Sequence, residues 1–243
     1  MLTKMSPTIM SVEITATGNA GFHVAAPGAS VFIDAFWDSG PRLFGGRRPS
    51  VAEHLPADLI LVTHAHWDHF SPNRVAEAAA RTGASVVGPA DVASRLRGHV
   101  REESLIALEP PETPAGGRAG SAGVELPGAT VTAFRTRHGR GHNSYLVRAG
   151  AFSCFHDGDN EDTRPLASAA LAPLDVLFLC PWQGSGWVEF VERLSPRRWL
   201  LTHLSDEELD AHAAGRFLPE LCDRVPLPDR ITALRPGETL TLI

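Results

Sequence analysis

The chain has 243 residues, 43% of them hydrophobic and 21% charged, and a formal net charge of −6. That composition supports a sizeable buried interior and excludes a disordered chain, while the negative charge provides no global basic field to gather nucleic acid or an anionic membrane. The three cysteines make no disulfide framework, and no segment reads as a signal peptide or is long enough to span a bilayer, so a cytoplasmic protein is expected.

The first third reads as strands. Val12–Ala16, Gly21–Ala26 and Val31–Asp34 are short β-prone runs, with Pro27-Gly28 as the hairpin turn between the last two. A Gly/Pro/Arg-rich loop follows from Phe36 to Arg48; its Phe36, Trp37, Arg42, Phe44, Arg47 and Arg48 suit a flap over a site. The run 58–62 is a buried strand, and Ser71-Pro72 reads as an N-cap and first helical position for a helix over 73–81, stopped by Gly83. A further βα unit spans 84–88 and 92–97, and residues 110–123 form a turn-rich connector. Strands return at 129–136, 144–148 and 151–155. Then come a helix over 163–170, a strand over 176–180, a helix over 188–194, a strand over 199–202 and a helix over 206–221. Runs 231–234 and 239–242 read as a closing β pair around Pro236-Gly237. Strands, βα units, strands and βα units again predict two sheets packed face to face with helices outside.

The chemistry concentrates where the strand 58–62 ends. His64, His66, Asp68 and His69 form an H-x-H-x-D-H cluster, four metal-binding side chains within six positions. Residues two apart in extended backbone share a side, so His64 and His66 can grip one ion together; Asp68 and His69, past the turn, reach a neighbouring position. Imidazole and carboxylate suit zinc, with manganese or iron as alternatives, and the absence of thiolates argues against a Cys-rich structural site. His138, Asp159 and His203 each lie directly after a predicted strand, where ligands for a site at one sheet edge belong. His142 rivals His138, which is preferred for its place in the turn. Seven such groups suffice for a binuclear centre holding two divalent ions.

These motifs, in this order and over nearly the whole length, resemble the metallo-β-lactamase fold superfamily. Within it the chain looks most like the small branch that includes L-ascorbate-6-phosphate lactonase. Gly18-Asn19-Ala20-Gly21-Phe22, the turn from His138 through Gly141 to Tyr145, and Leu234-Arg235-Pro236-Gly237-Glu238 support that placement. The resemblance implies an α/β (α+β) architecture, an αββα sandwich of two mixed sheets flanked by helices, as a single domain over 1–243. It also implies that His64, His66 and His138 hold one ion, that Asp68, His69 and His203 hold the other, and that Asp159 bridges them. Departures exist: the usual Gly-Asp-Thr reads Gly158-Asp159-Asn160 here, and the length leaves no room for the large insertion of the nuclease branch.

The expected function is metal-dependent hydrolysis of a small-molecule ester, lactone or amide. A metal-lowered water pKa would supply hydroxide, and Asp68 is the expected catalytic residue, orienting it and accepting its proton. The alternatives are a phosphodiesterase or nuclease, a non-hydrolytic di-iron protein, and a metal-binding regulator. Asp34 is expected to bond a ligand imidazole or the histidine turn from behind. His156 either borders the site or is a buried hydrogen-bonded histidine. Arg137 and Arg140, flanking His138, suit a carboxylate or phosphate, and Trp182 and Trp187 are expected to border the pocket. The partner is a small molecule rather than nucleic acid, and a homo-oligomer is compatible with the sequence.

Overall fold

The computed structural model describes residues 11–37, 54–139 and 141–243. Two seven-stranded mixed sheets stack face to face, with helices on both outer sides. In the first sheet β1 (Val12–Gly18), β2 (Gly21–Ala26), β3 (Ala29–Ile33), β4 (Leu59–Leu61), β5 (Ser85–Gly88) and β6 (Leu105–Ala107) lie side by side in chain order. The second sheet runs β7 (Ser121–Leu126), β8 (Ala129–Arg135), β9 (Asn143–Ala149), β10 (Phe152–His156), β11 (Val176–Leu179), β12 (Arg198–Leu201) and β13 (Ile231–Thr232). The last strand, β14 (Thr239–Leu242), returns to pair antiparallel with β1.

The side-chain periodicity of two explains the layering. Along β4, Leu59 and Leu61 face the inter-sheet core, while Ile60 faces α1 (Pro72–Thr82) and α2 (Ala90–Leu96). Along β11, Val176 and Phe178 face inward, while Leu177 and Leu179 pack outward with Phe190 and Leu194 of α4 (Trp187–Leu194). Both faces of these parallel central strands are covered, which is why their sequences are unbroken apolar runs. The inner layer draws on both sheets, with Ile14, Val24 and Leu61 packed in one cluster with Val131, Tyr145 and Phe178.

The expected hairpin at Pro27-Gly28 forms, with Gly28 at φ 91, and Gly83 caps α1 at φ 76, its N–H donating to Ala79 O. Four expectations change. The supposed closing β pair splits: β13 joins β12 in the second sheet and β14 joins β1 in the first, so the chain's end ties the two sheets rather than forming a hairpin. The helix over 206–221 breaks at Gly215, whose φ of 71 lies outside the helical region, into α5 (Asp206–Ala213) and α6 (Phe217–Leu221). The helix over 163–170 shrinks to the single turn α3 (Ser168–Leu171), because Thr163 instead bonds the 185 backbone by its N–H and hydroxyl. The connector 110–123 gives its last residues to β7, and β6 has no counterpart among the expected elements; both are edge strands, half-exposed and weakly patterned.

Parallel pairing of β3, β4 and β5 brings the C-terminal ends of β3 and β4 together, and parallel pairing of β10, β11 and β12 does the same in the second sheet. The loops that leave these ends carry His64, His66, Asp68, His69, Asp159 and His203, while His138 lies in the loop between the antiparallel β8 and β9.

Candidate metal centre

Four segments of backbone build the cluster. After β4 the chain leaves the sheet at Val62-Thr63, and backbone bonds from His69 N–H and Phe70 N–H to His66 O fold 66–70 into a compact turn. After β10 it turns at Gly158, φ 61, to present Asp159. After β12, His203 itself adopts φ 60, its N–H donating to Asn19 O of the β1–β2 turn. His138 arrives from the β8–β9 loop.

The polar atoms converge closely. His64 Nε2 lies 3.0 Å from His66 Nδ1, which lies 3.2 Å from His138 Nε2. His203 Nε2 lies 3.1 Å and His69 Nε2 3.6 Å from Asp68 Oδ2. Asp159 Oδ2 stands between the two groups, 3.9 Å from His64, 3.2 Å from His69, 3.7 Å from His138 and 3.5 Å from His203, each measured to Nε2. All seven sequence-predicted ligand residues therefore meet in one place.

Behind them, one carboxylate sets two tautomers. Asp34, held at φ 48, accepts Thr63 N–H on Oδ1 at 2.7 Å, and on Oδ2 the Thr63 hydroxyl at 2.6 Å and His69 Nδ1–H at 2.9 Å. With its proton committed to Asp34, the Thr63 hydroxyl accepts from His64 Nδ1–H at 2.9 Å. His64 Nε2 is thereby left as a lone pair facing the cluster, and His69 Nε2 faces it from the other side.

The donor set fits divalent metal. His138 Nδ1 sits 3.2 Å from the Glu161 carboxylate and so carries the proton, leaving a lone pair on Nε2. His64 and His138 thus both aim lone pairs at His66 Nδ1, which has one proton for two partners. A cation removes that conflict. Among the described residues, the buried Asp159 Oδ1 and His69 Nε2 find no hydrogen-bond partner, and an ion would satisfy such atoms. In the metal-free chain, burial favours neutral His69, yet Asp159 and Asp34 outweigh it and hold the imidazole well above its usual range. The carboxylates call for positive charge here. Burial and then the neighbouring His69 and His142 push His64 well below its usual range, so it stays a neutral donor.

His142, the rival to His138, is engaged elsewhere. Its Nε2 accepts the backbone N–H of Asp159 at 3.0 Å, and its Nδ1 meets Thr136 Oγ1 at 2.8 Å. Burial pushes its pKa down to about 3, consistent with an acceptor nitrogen. His156 is the buried, hydrogen-bonded alternative: Nε2 donates to Ala20 O at 2.8 Å and Nδ1 accepts Gly158 N–H at 3.1 Å.

Other expectations are corrected. Phe36 and Trp37 form no flap; both are buried, Phe36 against Phe32 at a ring separation of 4.9 Å and Trp37 beneath Gly18. Arg42, Phe44, Arg47, Arg48 and Arg140 lie outside the described residues. Trp187 begins α4 in the core, its ring 6.1 Å from Trp199, and does not border the site. Trp182 does border it, with Nε1–H on His203 O at 3.0 Å. Arg137 pairs with Glu161 at 3.5 Å.

Sequence reasoning gave no role to Asn19, Thr63, Glu161 or Gln183. Asn19 Nδ2 donates to Asp68 O at 2.7 Å, and Gln183 Nε2 to Asp159 Oδ2 at 3.2 Å. Short polar residues flanking a ligand are ordinary in loops, so nothing in the spacing marks them.

Comparisons with known proteins agree with this geometry. A family model described as "Beta-lactamase superfamily domain" matches residues 29–204. A metal-dependent hydrolase of Anaeromyxobacter sp. (strain K) is 29% identical over 188 residues, covering 69% of this chain, which spans 64% of that relative's length. One from Thermococcus kodakarensis is 27% identical over 95% of this chain and all of its own length. Among solved structures, Igni18, a metallo hydrolase of Ignicoccus hospitalis, superposes with a TM-score of 0.67 at 19% identity over 96% of this chain and 99% of its own. CmlA, a diiron β-hydroxylase of Streptomyces venezuelae, reaches 0.65 at 16% identity, over 98% of this chain and 55% of its own. At these identities the structural likeness speaks for the fold.

Proposed function

The chain belongs to the β-lactamase superfamily, and from that membership we propose that it is a metal-dependent hydrolase acting on a small-molecule ester, lactone or amide at a binuclear centre. One observation carries the reading: Asp159 Oδ2 lies within 3.2–3.9 Å of the Nε2 atoms of His64, His69, His138 and His203. A carboxylate so placed suits a bridge between two cations. In this reading His64, His66 and His138 hold one ion and Asp68, His69 and His203 the other. Zinc is the expected metal, and manganese and iron suit the same donors. Residues 1–243 are treated as one domain, supported by an inner core shared between both sheets.

Divalent ions there would supply Lewis acidity and lower the pKa of a bound water towards ~7. The protein's own groups supply the rest. Burial would raise the Asp68 carboxyl, but the hydrogen bond from His203 and the charges of His69 and His203 outweigh it and hold it below the usual carboxylate range. Asp68 Oδ2 is therefore an ionised acceptor at neutral pH, suited to orient an attacking water and take its proton. Asn19 fixes the Asp68 backbone, and Asp34 fixes the tautomers of His64 and His69.

Metal analysis of the purified protein, combined with a panel of lactone, thioester and phosphodiester substrates, tests the reading. The expected result is two equivalents of metal and turnover on the acyl substrates, both lost in His66→Ala and Asp68→Ala. Unchanged turnover in either variant refutes the assignment; turnover confined to phosphodiesters refutes the substrate class.

A further inference from the structure

Among the described residues, the exposed large hydrophobic side chains are Trp67, Trp182, Leu221 and Ile243. Two of these are tryptophans, one in the histidine turn and one packed against a residue of the metal cluster. Trp67, 47% exposed, precedes Asp68 in the histidine turn; Trp182, 43% exposed, packs edge-on against His203 with ring centroids 5.2 Å apart. Asp68 and His203 are themselves in contact, so the Trp182 indole lies at the Asp68–His203 side of the cluster.

Trp182 is also fixed. Its only polar side-chain atom, Nε1, donates to His203 O at 3.0 Å, which sets the orientation of the indole while much of its surface faces water. A tryptophan gains by burying its apolar surface, and this one is held open to solvent beside the cluster, where a ligand could cover it. The opposite side of the cluster differs in kind. There, beyond His138, a cleft of about 450 Å³ is lined by charged side chains including Glu112, Arg135, Arg137 and Asp162. The mouth of the centre is therefore apolar at Asp68–His203 and polar at His138.

We propose that Trp182 forms an apolar subsite that receives the aromatic or bulky apolar part of the substrate while its polar part lies towards His138. This deepens the hydrolase reading and rests on it, since it places the substrate's scissile group at the cluster around Asp159. A rigid indole face orders little on binding, so its contact area converts to affinity at low entropic cost.

The test reads binding rather than turnover. Benzylphosphonate and methylphosphonate, which share an anionic head and differ in the apolar group, are titrated into zinc-loaded protein by calorimetry. The wild type is expected to bind the benzyl compound about tenfold more tightly. Trp182→Ala, checked for zinc content, should reduce that ratio towards one. Trp182→Phe, which loses the bond to His203 O but keeps an aromatic face, should retain most of it, separating the apolar surface from a role in holding His203. No preference in the wild type, a preference that survives Trp182→Ala, or no binding of either compound overturns the subsite. A protein that discriminates the phosphonates yet hydrolyses nothing keeps the subsite and removes the hydrolase reading; one that hydrolyses esters without discriminating does the reverse.

Discussion

His142 accepts the backbone N–H of Asp159 on its Nε2 at 3.0 Å, and this bond determines which of two nearby histidines can serve the centre. With Nδ1 committed to Thr136 Oγ1, and Thr136 in turn 2.9 Å from the Ser144 hydroxyl, His142 has no free nitrogen. It instead holds the main chain of the residue whose carboxylate lies at the middle of the cluster. His138, four residues earlier, sends Nε2 into that cluster.

His142→Leu and His142→Gln should therefore behave differently. Leucine leaves the Asp159 N–H buried without an acceptor, and zinc affinity is expected to fall by about 10–100-fold, as for other groups that position a ligand from behind. Glutamine carries an acceptor oxygen at a similar reach and should recover much of the loss. Competition with a chromophoric chelator measures both. Equal losses in the two variants would mean that His142 binds metal itself.

Gly158 tests the same turn from its backbone. It sits at φ 61, and a Cβ there would lie 2.5 Å from His142 Nε2. Gly158→Ala combines a left-handed backbone cost with a clash against a buried ring, together on the order of 1–3 kcal/mol of stability, and should displace Asp159. Thermal melts and zinc affinity should fall together. A variant as stable and as zinc-competent as the wild type would show that the turn tolerates a side chain and that its geometry is not needed.

Much of this is readable in the sequence, and the exceptions have physical causes. His64, His66, Asp68 and His69 are legible because strand periodicity and a tight turn convert short spacing into proximity. His138, Asp159 and His203 are legible because each follows a strand; parallel pairing aligns the ends that carry Asp159 and His203, whereas His138 leaves the antiparallel β8. The pairing of β13 and β14 is not: two short runs around a Pro-Gly turn look like a hairpin, and only the stacking of two sheets sends them to different partners. Phe36 and Trp37 mislead for a similar reason, since aromatic residues in a loop carry no mark of which side of the sheet they will face.

Asp34 should be intolerant of its closest isostere. Its two oxygens accept three protons, from Thr63 N–H, the Thr63 hydroxyl and His69 Nδ1–H. An asparagine in its place would turn an NH2 towards one of these donors and leave it unpaired in a buried site, costing about 1–3 kcal/mol. Asp34→Asn is accordingly expected to lower thermal stability in chelator and to weaken zinc binding as well, because His64 and His69 lose their fixed tautomers. Unchanged stability in chelator would indicate that one accepting oxygen is enough.

Asp157 gives a pH-dependent prediction. Burial pushes its carboxyl up to about 7, although Asn160 Nδ2 at 3.1 Å and the Ser144 hydroxyl at 3.3 Å favour the charged form. An unfolded aspartate titrates near ~3.9. The folded state therefore holds this proton more tightly, and the contribution is fully present below pH ~4, is lost as pH rises through about 7, and levels off above it. A shift of this size corresponds to a few kcal/mol at most, about 1.4 kcal/mol for each pH unit crossed. Asp157→Asn keeps an accepting oxygen and has no proton to lose. Denaturant unfolding of metal-stripped protein between pH 4 and 8 should show the variant gaining on the wild type up to about pH 7, with the difference constant beyond. Parallel stability curves would mean that Asp157 is ionised in the native state, with its burial offset by its two hydrogen bonds.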